Sequence, residues 1–145
     1  MTSKTDHQKP AAAPQIRVRY AETDQMGVVY HANYLVWFEV GRVELMRSLG
    51  FDYKQMEIED DRHIVVVEAK CRYRAPARYD DVVAIETRIL ALRGFVLKFA
   101  YRLVRISDNT LLAEGETTHV ITNSAMQKCT LQDKYVQAFR AVMRG

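Results

Sequence analysis

The sequence predicts an α+β domain in which a curved antiparallel sheet wraps around one long helix. The helix is predicted from an apolar run with helical spacing at about residues 33–49, which follows a glycine-containing turn. Four β-branched runs come after it, at 62–74, 82–92, 95–105 and 111–122. We expect these four strands to form an antiparallel meander whose concave face covers the helix.

A short strand and a turn precede the helix. In the segment IRVRY, Ile16, Val18 and Tyr20 alternate with polar residues and are expected to lie on one half-buried face. The segment ETDQMG that follows is typical of a turn, because Asp24 favours tight turns and Gly27 can adopt a positive φ. The domain should therefore begin with a strand, a turn and a helix in direct succession.

The helix is predicted to start with Asn33 as its N-cap and to stop at Gly50. One apolar stripe along it is formed by Tyr34, Phe38, Gly41, Leu45 and Leu49. Leu35, Val36 and Trp37 extend the apolar surface almost completely around the first turn and a half. A helix that is apolar all round is enclosed by other elements, so we expect this end to be buried and the polar later half to emerge into solvent.

Turn sequences divide the remaining strands. Arg93-Gly94 and the SDNT segment at 107–110 predict hairpins, and APARYDD forms the loop between the first two runs of the meander. The spacing Thr130-x-x-Asp133 is similar to a capping box and predicts the start of a terminal helix. The apolar face of that helix consists of Leu131, Tyr135, Phe139 and Val142.

Composition limits the classes of protein that fit. Among 145 residues, 48% are hydrophobic and 27% charged, which is ordinary for a globular chain. We expect a disordered, Ala/Pro-rich leader at 1–14 and a single domain at 15–145. The net charge of +3 comes from scattered basic residues, which argues against a nucleic-acid partner. Cys71 and Cys129 are too isolated to form a disulfide framework or a zinc site, so reduced thiols are expected.

Targeting signals are not evident in the sequence. No apolar run approaches the roughly 18 residues that a membrane-spanning helix needs. The first residues also lack the hydrophobic core of a signal peptide. Together with the reduced thiols, this favours a cytoplasmic location.

The segment RYAETDQMGVVYHANYLVWFEVGR and the order of the elements resemble the hotdog-fold thioesterases of the 4-hydroxybenzoyl-CoA thioesterase type. Within that superfamily the chain is most similar to the short bacterial acyl-CoA thioesterases associated with the Tol-Pal system. The matching positions are Asp24, Gly27, Val29, Tyr30, His31, Asn33 and Tyr34. A second match is YRAPARYDD, with Pro76, Arg78 and Asp81. The resemblance spans roughly residues 15–140 and implies a hotdog fold.

The resemblance also implies a catalytic role for Asp24. Its counterparts act as a nucleophile or as a general base on water, and both roles stay open for this chain. A thioester hydrolase also needs hydrogen-bond donors at the developing oxyanion. The free N–H groups at the start of the helix suit that purpose. The alternative for Asp24 is that it only stabilises the turn.

His31 is the second predicted catalytic residue. In the resembling enzymes the backbone N–H at this position polarises the thioester carbonyl, and in the Tol-Pal-associated branch the histidine is treated as catalytic. An imidazole that titrates near neutral pH could orient the attacking water or protonate the leaving thiolate. The alternative is that His31 is a cap or packing residue.

Three further residues are predicted to bind substrate: Tyr30, Arg93 and Phe95. Arg93 could contact the phosphates of coenzyme A, although an arginine in a hairpin can equally be solvated. Trp37 and Phe38 are expected in the core, where either could line an acyl tunnel. We expect no metal and no cofactor, because the sequence has no HxH, HExxH or carboxylate cluster.

The predicted activity is therefore hydrolysis of acyl-CoA. One alternative keeps the fold and delivers the acyl group on acyl carrier protein. Another is a non-catalytic acyl-binding module. The sequence has no GxSxG elbow of a serine hydrolase, and His31-Ala32-Asn33 does not match the His-Phe-Pro-like loop of hotdog dehydratases.

The predicted assembly is a homodimer or homotetramer. The third- and fourth-strand regions carry apolar residues on both faces, which predicts an apolar convex face in need of a partner. The two sets are Val83, Ile85 and Ile89 against Val82, Leu90 and Leu92. The resemblance implies sheets paired edge to edge, with each active site at the boundary between subunits.

Overall fold

The computed structural model describes residues 13–143. Its elements are β1 (Gln15–Arg17), a 3₁₀ turn (Tyr20–Glu22), α1 (Ala32–Ser48), α2 (Tyr53–Glu59), β2 (His63–Tyr73), β3 (Val82–Arg93), β4 (Val96–Arg105), β5 (Thr110–Thr122) and α3 (Asp133–Met143). Residues 1–12 of the predicted leader lie outside the described range. Pro14, at the end of that leader, already contacts the sheet, because its carbonyl accepts a hydrogen bond from the Ile85 N–H at 2.9 Å.

The five strands within residues 13–143 form one antiparallel sheet in the order β1-β3-β4-β5-β2. The predicted meander is correct for β3, β4 and β5 but wrong for β2, which pairs with β5 at the far edge. The segment after β2 explains the difference. The Arg74 and Ala75 N–H groups both donate to the Leu112 carbonyl, and the chain then crosses the end of the sheet to Asp81, whose carbonyl accepts from the Val18 N–H. This crossover is too long for a tight hairpin.

Helix α1 packs on one face of this sheet. Its buried residues are Tyr34, Trp37, Phe38, Gly41 and Met46, so most of the predicted stripe is confirmed. Leu35 is 39% and Val36 53% exposed. The expectation that the first turns are enclosed on all sides is therefore wrong for the single chain, because the sheet covers only one side of the helix.

Two predicted boundaries near the helix differ from the structure. Helix α1 begins at Ala32 with His31 as its N-cap, and the side chain of Asn33 turns away to bond the Glu22 carbonyl at 2.9 Å. Strand β1 ends at Arg17, and the chain then enters the 3₁₀ turn. As a result Tyr20 is 77% exposed, against the prediction, although Val18 is buried as expected.

The C-terminal half of the chain holds two further differences. Helix α2 was not predicted, because its seven residues bury only Met56 and so leave no apolar repeat to detect. Helix α3 buries Tyr135 and Phe139 as expected. It begins at Asp133, so Asp133 is its first helical residue and the predicted capping box with Thr130 is wrong.

The outer face of the sheet is charged in its central part, contrary to the predicted apolar convex face. One row across the strands consists of Arg72, Glu114, Arg102 and Glu86. Arg102 pairs with Glu86 at 2.7 Å. A register shift between Ile89 and Ala91 brings Leu92 onto the buried side with Ile89. Within residues 13–143, no helix is both long and apolar enough to cross a membrane.

Candidate active site

The segment from Thr23 to Val29 forms a tight loop in front of helix α1. An isolated β-bridge joins Thr23 and Val29. The Asp24 N–H donates to the Val28 carbonyl at 2.8 Å, and the Gly27 N–H donates to the Asp24 carbonyl at 3.0 Å. Gly27 adopts a φ of 80°, which a glycine tolerates without strain. The predicted turn is therefore confirmed.

The half-buried carboxylate of Asp24 serves this turn with only one of its oxygens. Oδ1 accepts a hydrogen bond from the Met26 N–H at 2.8 Å. Oδ2 accepts no hydrogen bond from residues 13–143. The turn-stabilising role and a chemical role are thus compatible, because the second oxygen remains free to act on a substrate or on water.

His31 occupies the N-cap position of helix α1, but its side chain makes no capping hydrogen bond. The exposed imidazole lies between two tyrosine rings, with centroid distances of 4.6 Å to Tyr30 and 6.2 Å to Tyr73. In the described part of the chain, the N–H groups of His31 and Ala32 donate to no backbone or side-chain acceptor. These are two of the unpaired amides at the positive end of the helix.

Tyr73 is a site residue that the sequence analysis did not single out. Its hydroxyl donates a hydrogen bond to the His31 carbonyl at 3.2 Å, and its ring packs 5.2 Å from that of Tyr34. Burial, together with the Cys71 thiol, raises the pKa of Tyr73 to about 12. Its hydroxyl therefore stays protonated and able to donate. The available signal was its position as the first residue of YRAPARYDD.

The segment YRAPARYDD is hydrogen-bonded to the end of the Thr23–Val29 loop. The Ala77 carbonyl accepts from the Val29 N–H at 2.8 Å, and Arg78 forms a β-bridge with Val28. The Ala77 N–H donates to the hydroxyl of Tyr34 at 3.1 Å. Asp81 accepts a hydrogen bond from the Arg78 N–H at 2.9 Å. The two segments quoted for the family resemblance, far apart in the chain, thus meet at one place.

Arg93 and Phe95 lie elsewhere. Strand β3 begins next to Asp81, near the Thr23–Val29 loop, and ends at Arg93. A strand of twelve residues places its two ends roughly 35 Å apart, so Arg93 lies far from that loop. Gly94 and Phe95 form the turn to β4, with Gly94 at a φ of 57°. The amine of Lys128 lies 5.1 Å from the centroid of the Phe95 ring. A single chain therefore brings Asp24, Tyr30 and His31 together but leaves Arg93 and Phe95 at the opposite end, and their substrate-binding roles stay predictions.

The other two described histidines are remote from the loop. The Nδ1 of His63 lies 3.2 Å from a Glu57 carboxylate oxygen at the start of β2. His119 is fully buried in strand β5, and its Nε2 lies 2.7 Å from the hydroxyl of Thr117. Burial, and secondarily the charge of Arg42, lowers the pKa of His119 to about 4. His119 is therefore a neutral core residue at neutral pH.

The family model of the thioesterase-like superfamily matches residues 18–139, which include the loop, helices α1 and α2, the first part of α3 and strands β2 to β5. The chain belongs to the thioesterase-like superfamily. It is therefore an enzyme of the thioester hydrolase class.

Two curated relatives and two solved structures show the extent of the similarity to this superfamily. The acyl-CoA thioester hydrolase YbgC of Escherichia coli O6:H1 is 39% identical over 113 residues, which cover 78% of this chain and 83% of YbgC. The acyl-CoA thioesterase YbgC of Haemophilus influenzae is 37% identical over 105 residues, covering 72% and 75%.

Among solved structures, the hypothetical protein TT1821 from Thermus thermophilus has a TM-score of 0.80 at 37% identity, covering 90% of this chain and 96% of that chain. The DHNA-CoA thioesterase from Staphylococcus aureus has a TM-score of 0.86 at 27% identity, covering 92% and 91%. These matches confirm the predicted hotdog fold for this member of the thioesterase-like superfamily.

Proposed function

We propose that this thioesterase hydrolyses acyl-CoA thioesters, with Asp24 as its catalytic carboxylate and the N-terminus of helix α1 as its oxyanion site. One observation carries the proposal. A half-buried carboxylate with a free oxygen lies on the Thr23–Val29 loop, and the two unpaired amides of His31 and Ala32 follow it at the start of helix α1. The names of the Escherichia coli and Haemophilus influenzae relatives support acyl-CoA as the substrate class.

The chemistry follows from this arrangement. The thioester carbonyl oxygen accepts hydrogen bonds from the amides of His31 and Ala32, and the positive end of the helix stabilises the charge that develops on it. Asp24 then either removes a proton from the attacking water or attacks the carbonyl carbon itself. The C–S bond breaks, the thiolate leaves, and the protonated imidazole of His31 gives it a proton. The products are the free acid and coenzyme A.

The two roles of Asp24 can be separated by isotope labelling. A single turnover in H₂¹⁸O puts the label directly into the released acid if Asp24 acts as a general base. If Asp24 attacks, a mixed anhydride forms, and the first turnover leaves the label in the Asp24 carboxylate when water adds to the Asp24 carbonyl carbon. When water adds to the acyl carbon instead, the label enters the acid, and the nucleophilic route is then recognised by the acyl group trapped on the peptide that contains Asp24. Mass spectrometry of the acid and of the peptide that contains Asp24 distinguishes the two outcomes.

The substitution Asp24→Asn tests the proposal itself. The amide oxygen can still accept the Met26 N–H, so the turn is kept while the charge is lost. We expect kcat to fall at least about 100-fold, the scale of a general base, with little change in folding. Asp52→Asn is a matched control, because Asp52 accepts the Lys54 N–H in the same i to i+2 geometry at 2.9 Å but caps helix α2. A kcat for Asp24→Asn within about threefold of the wild type contradicts the proposal.

The carrier and the acyl group are open to direct measurement. Thiol release should be followed with acyl-CoA substrates of several chain lengths, and acid release with the same acyl groups on acyl carrier protein. A higher kcat/KM on the carrier protein would assign the enzyme to that carrier. Acyl binding without turnover on either carrier would assign it to the non-catalytic alternative.

We also propose that the active enzyme is at least a dimer, paired along strand β2. Among residues 13–143, this eleven-residue strand pairs only with β5, which leaves its other edge open, and Val66 and Val67 on it are 46% and 56% exposed. A long open edge with apolar side chains favours pairing with another strand. Since β2 ends at Tyr73 beside His31, a paired subunit would border the active site. The interface should bury more than about 2,000 Å², as obligate assemblies do.

A further inference from the structure

A buried carboxylate that the proposed mechanism does not use, that of Glu22, connects the catalytic loop with helix α1. Glu22 is 9% exposed. Its Oε1 accepts a hydrogen bond from the Arg19 N–H at 2.8 Å, and its Oε2 accepts one from the indole Nε1–H of Trp37 at 3.0 Å. Each carboxylate oxygen thus accepts one N–H donor, one from the segment before the loop and one from helix α1.

The backbone of Glu22 makes a second pair of bonds to the same region. Its carbonyl accepts from the Tyr30 N–H at 2.9 Å and from the Nδ2 amide of Asn33 at 2.9 Å. Glu22 precedes Asp24 by two residues, and Tyr30 directly precedes His31. One residue therefore ties together the entry to the loop, its exit and the first two turns of the helix.

A carboxylate suits this position for a chemical reason. The groups that face the Glu22 side chain most closely are two N–H donors, so both of its oxygens must accept. A glutamine could satisfy only one donor and would point its own NH₂ group at the other. The guanidinium of Arg19 approaches Oε1 at 3.6 Å, but it is 76% exposed and contributes little. A buried carboxylate is costly, so its presence indicates that the double acceptor is needed.

We propose that Glu22 is a positioning residue for thioester hydrolysis. Its carboxylate, held between the Arg19 N–H and the Trp37 indole, keeps the loop that carries Asp24 in register with the amides at the N-terminus of helix α1. This inference rests on the proposed function. It predicts that the Glu22–Trp37 hydrogen bond affects the rate of the chemical step and leaves substrate affinity nearly unchanged.

The variant Glu22→Gln tests the role in catalysis. We expect kcat to fall about 10- to 100-fold with KM changed less than about threefold, because small displacements of a catalytic group cost this much. Glu86→Gln is the control: it also turns a glutamate into a glutamine, but in an exposed ion pair with Arg102 on the outer face. A Glu22→Gln enzyme with wild-type kcat overturns the proposal, and so does a loss confined to KM.

Trp37→Phe tests the partner and remains informative if Glu22→Gln does not fold. It removes one donor and keeps the bond from the Arg19 N–H. We expect kcat to fall at least about fivefold with KM unchanged. Because both substitutions break the same hydrogen bond, the kcat of the double variant should lie within about threefold of the kcat of the slower single variant. Losses that multiply would show that the two side chains act independently, which overturns the proposal. So would an unchanged kcat in Trp37→Phe.

A structural readout separates this inference from the proposed function. Trp37 is the single tryptophan of the chain, so its indole N–H gives one NMR resonance. In Glu22→Gln we expect that resonance to shift and its hydrogen exchange to accelerate, together with shifts of the backbone amides from Thr23 to His31. If the wild type hydrolyses no thioester, the proposed function fails while these shifts still support the linkage. If the chemical shifts of the backbone amides from Thr23 to His31 stay unchanged, the positioning role is overturned even in an active enzyme.

Discussion

Replacing Gly41 by alanine should destabilise the protein, although the same change stabilises most helices. Gly41 lies in the middle of helix α1, on the side that faces strand β3. A Cβ atom at this position would lie 2.3 Å from the hydroxyl oxygen of Thr87 and 2.6 Å from the Cγ2 of Ile85. Both distances are below any normal contact, so the side chains of Thr87 and Ile85 would have to rotate or the helix and the strand would have to separate.

The sign of the effect depends on two opposing terms. Alanine is favoured over glycine inside a helix by about 1 kcal/mol. Inserting a methyl group into a close-packed site costs about 1–3 kcal/mol, and two severe contacts with a central strand place Gly41 at the upper end of that range. We therefore expect a net loss of about 1–2 kcal/mol in the free energy of unfolding. For a chain of this size the corresponding decrease in Tm is about 3–8 °C.

Thermal and urea unfolding at one fixed protein concentration would measure this loss. Thr87→Ala is the matched variant, because it removes the closer of the two clashing atoms. The Thr87 hydroxyl is buried and has no hydrogen-bond partner among residues 13–143, so its removal alone should cost little. We expect Thr87→Ala to restore part of the stability in the double variant. A Gly41→Ala protein as stable as the wild type, or losses that simply add, would refute the close approach of α1 to β3.

Three other predictions concern the site, the core and the assembly. His31→Ala should lower kcat about 10-fold or more, whereas a near-normal rate with an unchanged pH profile would assign the work to the backbone N–H. Because burial lowers the pKa of His119 from 6.5 to about 4, the unfolded state binds more protons between these values. Stability should therefore fall as the pH drops from 6.5 to 4, by up to about 3 kcal/mol, and His119→Gln should lose this component of the pH dependence in urea titrations. Light scattering after size exclusion should give at least twice the monomer mass of 16.8 kDa, and a fully active monomer would rule out the proposed dimer.

Local patterns in the sequence were sufficient to predict most elements of the fold. Alternating β-branched residues mark β3, β4 and β5, and the apolar stripe of α1 includes the buried Tyr34, Phe38 and Gly41. The turn at Asp24 and Gly27 was equally evident, because such turns depend on the conformational preferences of single residues. Those preferences act within a few positions of the chain, so a sequence can reveal them directly.

Helix α2 shows where local patterns become too weak. With one buried residue, Met56, it has no apolar repeat, and its only clear signal is the Asp52 cap. The capping box predicted at Thr130 failed for a related reason, because the same spacing of short polar residues also occurs in loops. The backbone carbonyl of Thr130 is instead used by the guanidinium of Arg62, at 2.8 Å.

The placement of the site residues was determined by contacts between distant parts of the chain. The sequence by itself located Asp24 and His31 at the start of an apolar helix, because the loop and the helix are contiguous. It could not show that Tyr73 reaches the His31 carbonyl, since this requires β2 to cross to the far edge of the sheet. Nor could it show that Arg93 lies at the end of β3 that is remote from Asp24 and His31.

The role of Glu22 has the same origin. In the sequence it is one carboxylate among polar residues that precede a turn, and nothing local distinguishes it from a solvated side chain. Only the docking of helix α1 on the sheet brings the Trp37 indole, fifteen positions later, to its carboxylate and excludes water from the contact. The sequence thus determined which elements form and where the reactive loop lies, since both depend on short-range conformational preferences. Strand order, burial and the partners of each polar group were decided by the tertiary structure, because they depend on which surfaces meet after the chain has folded.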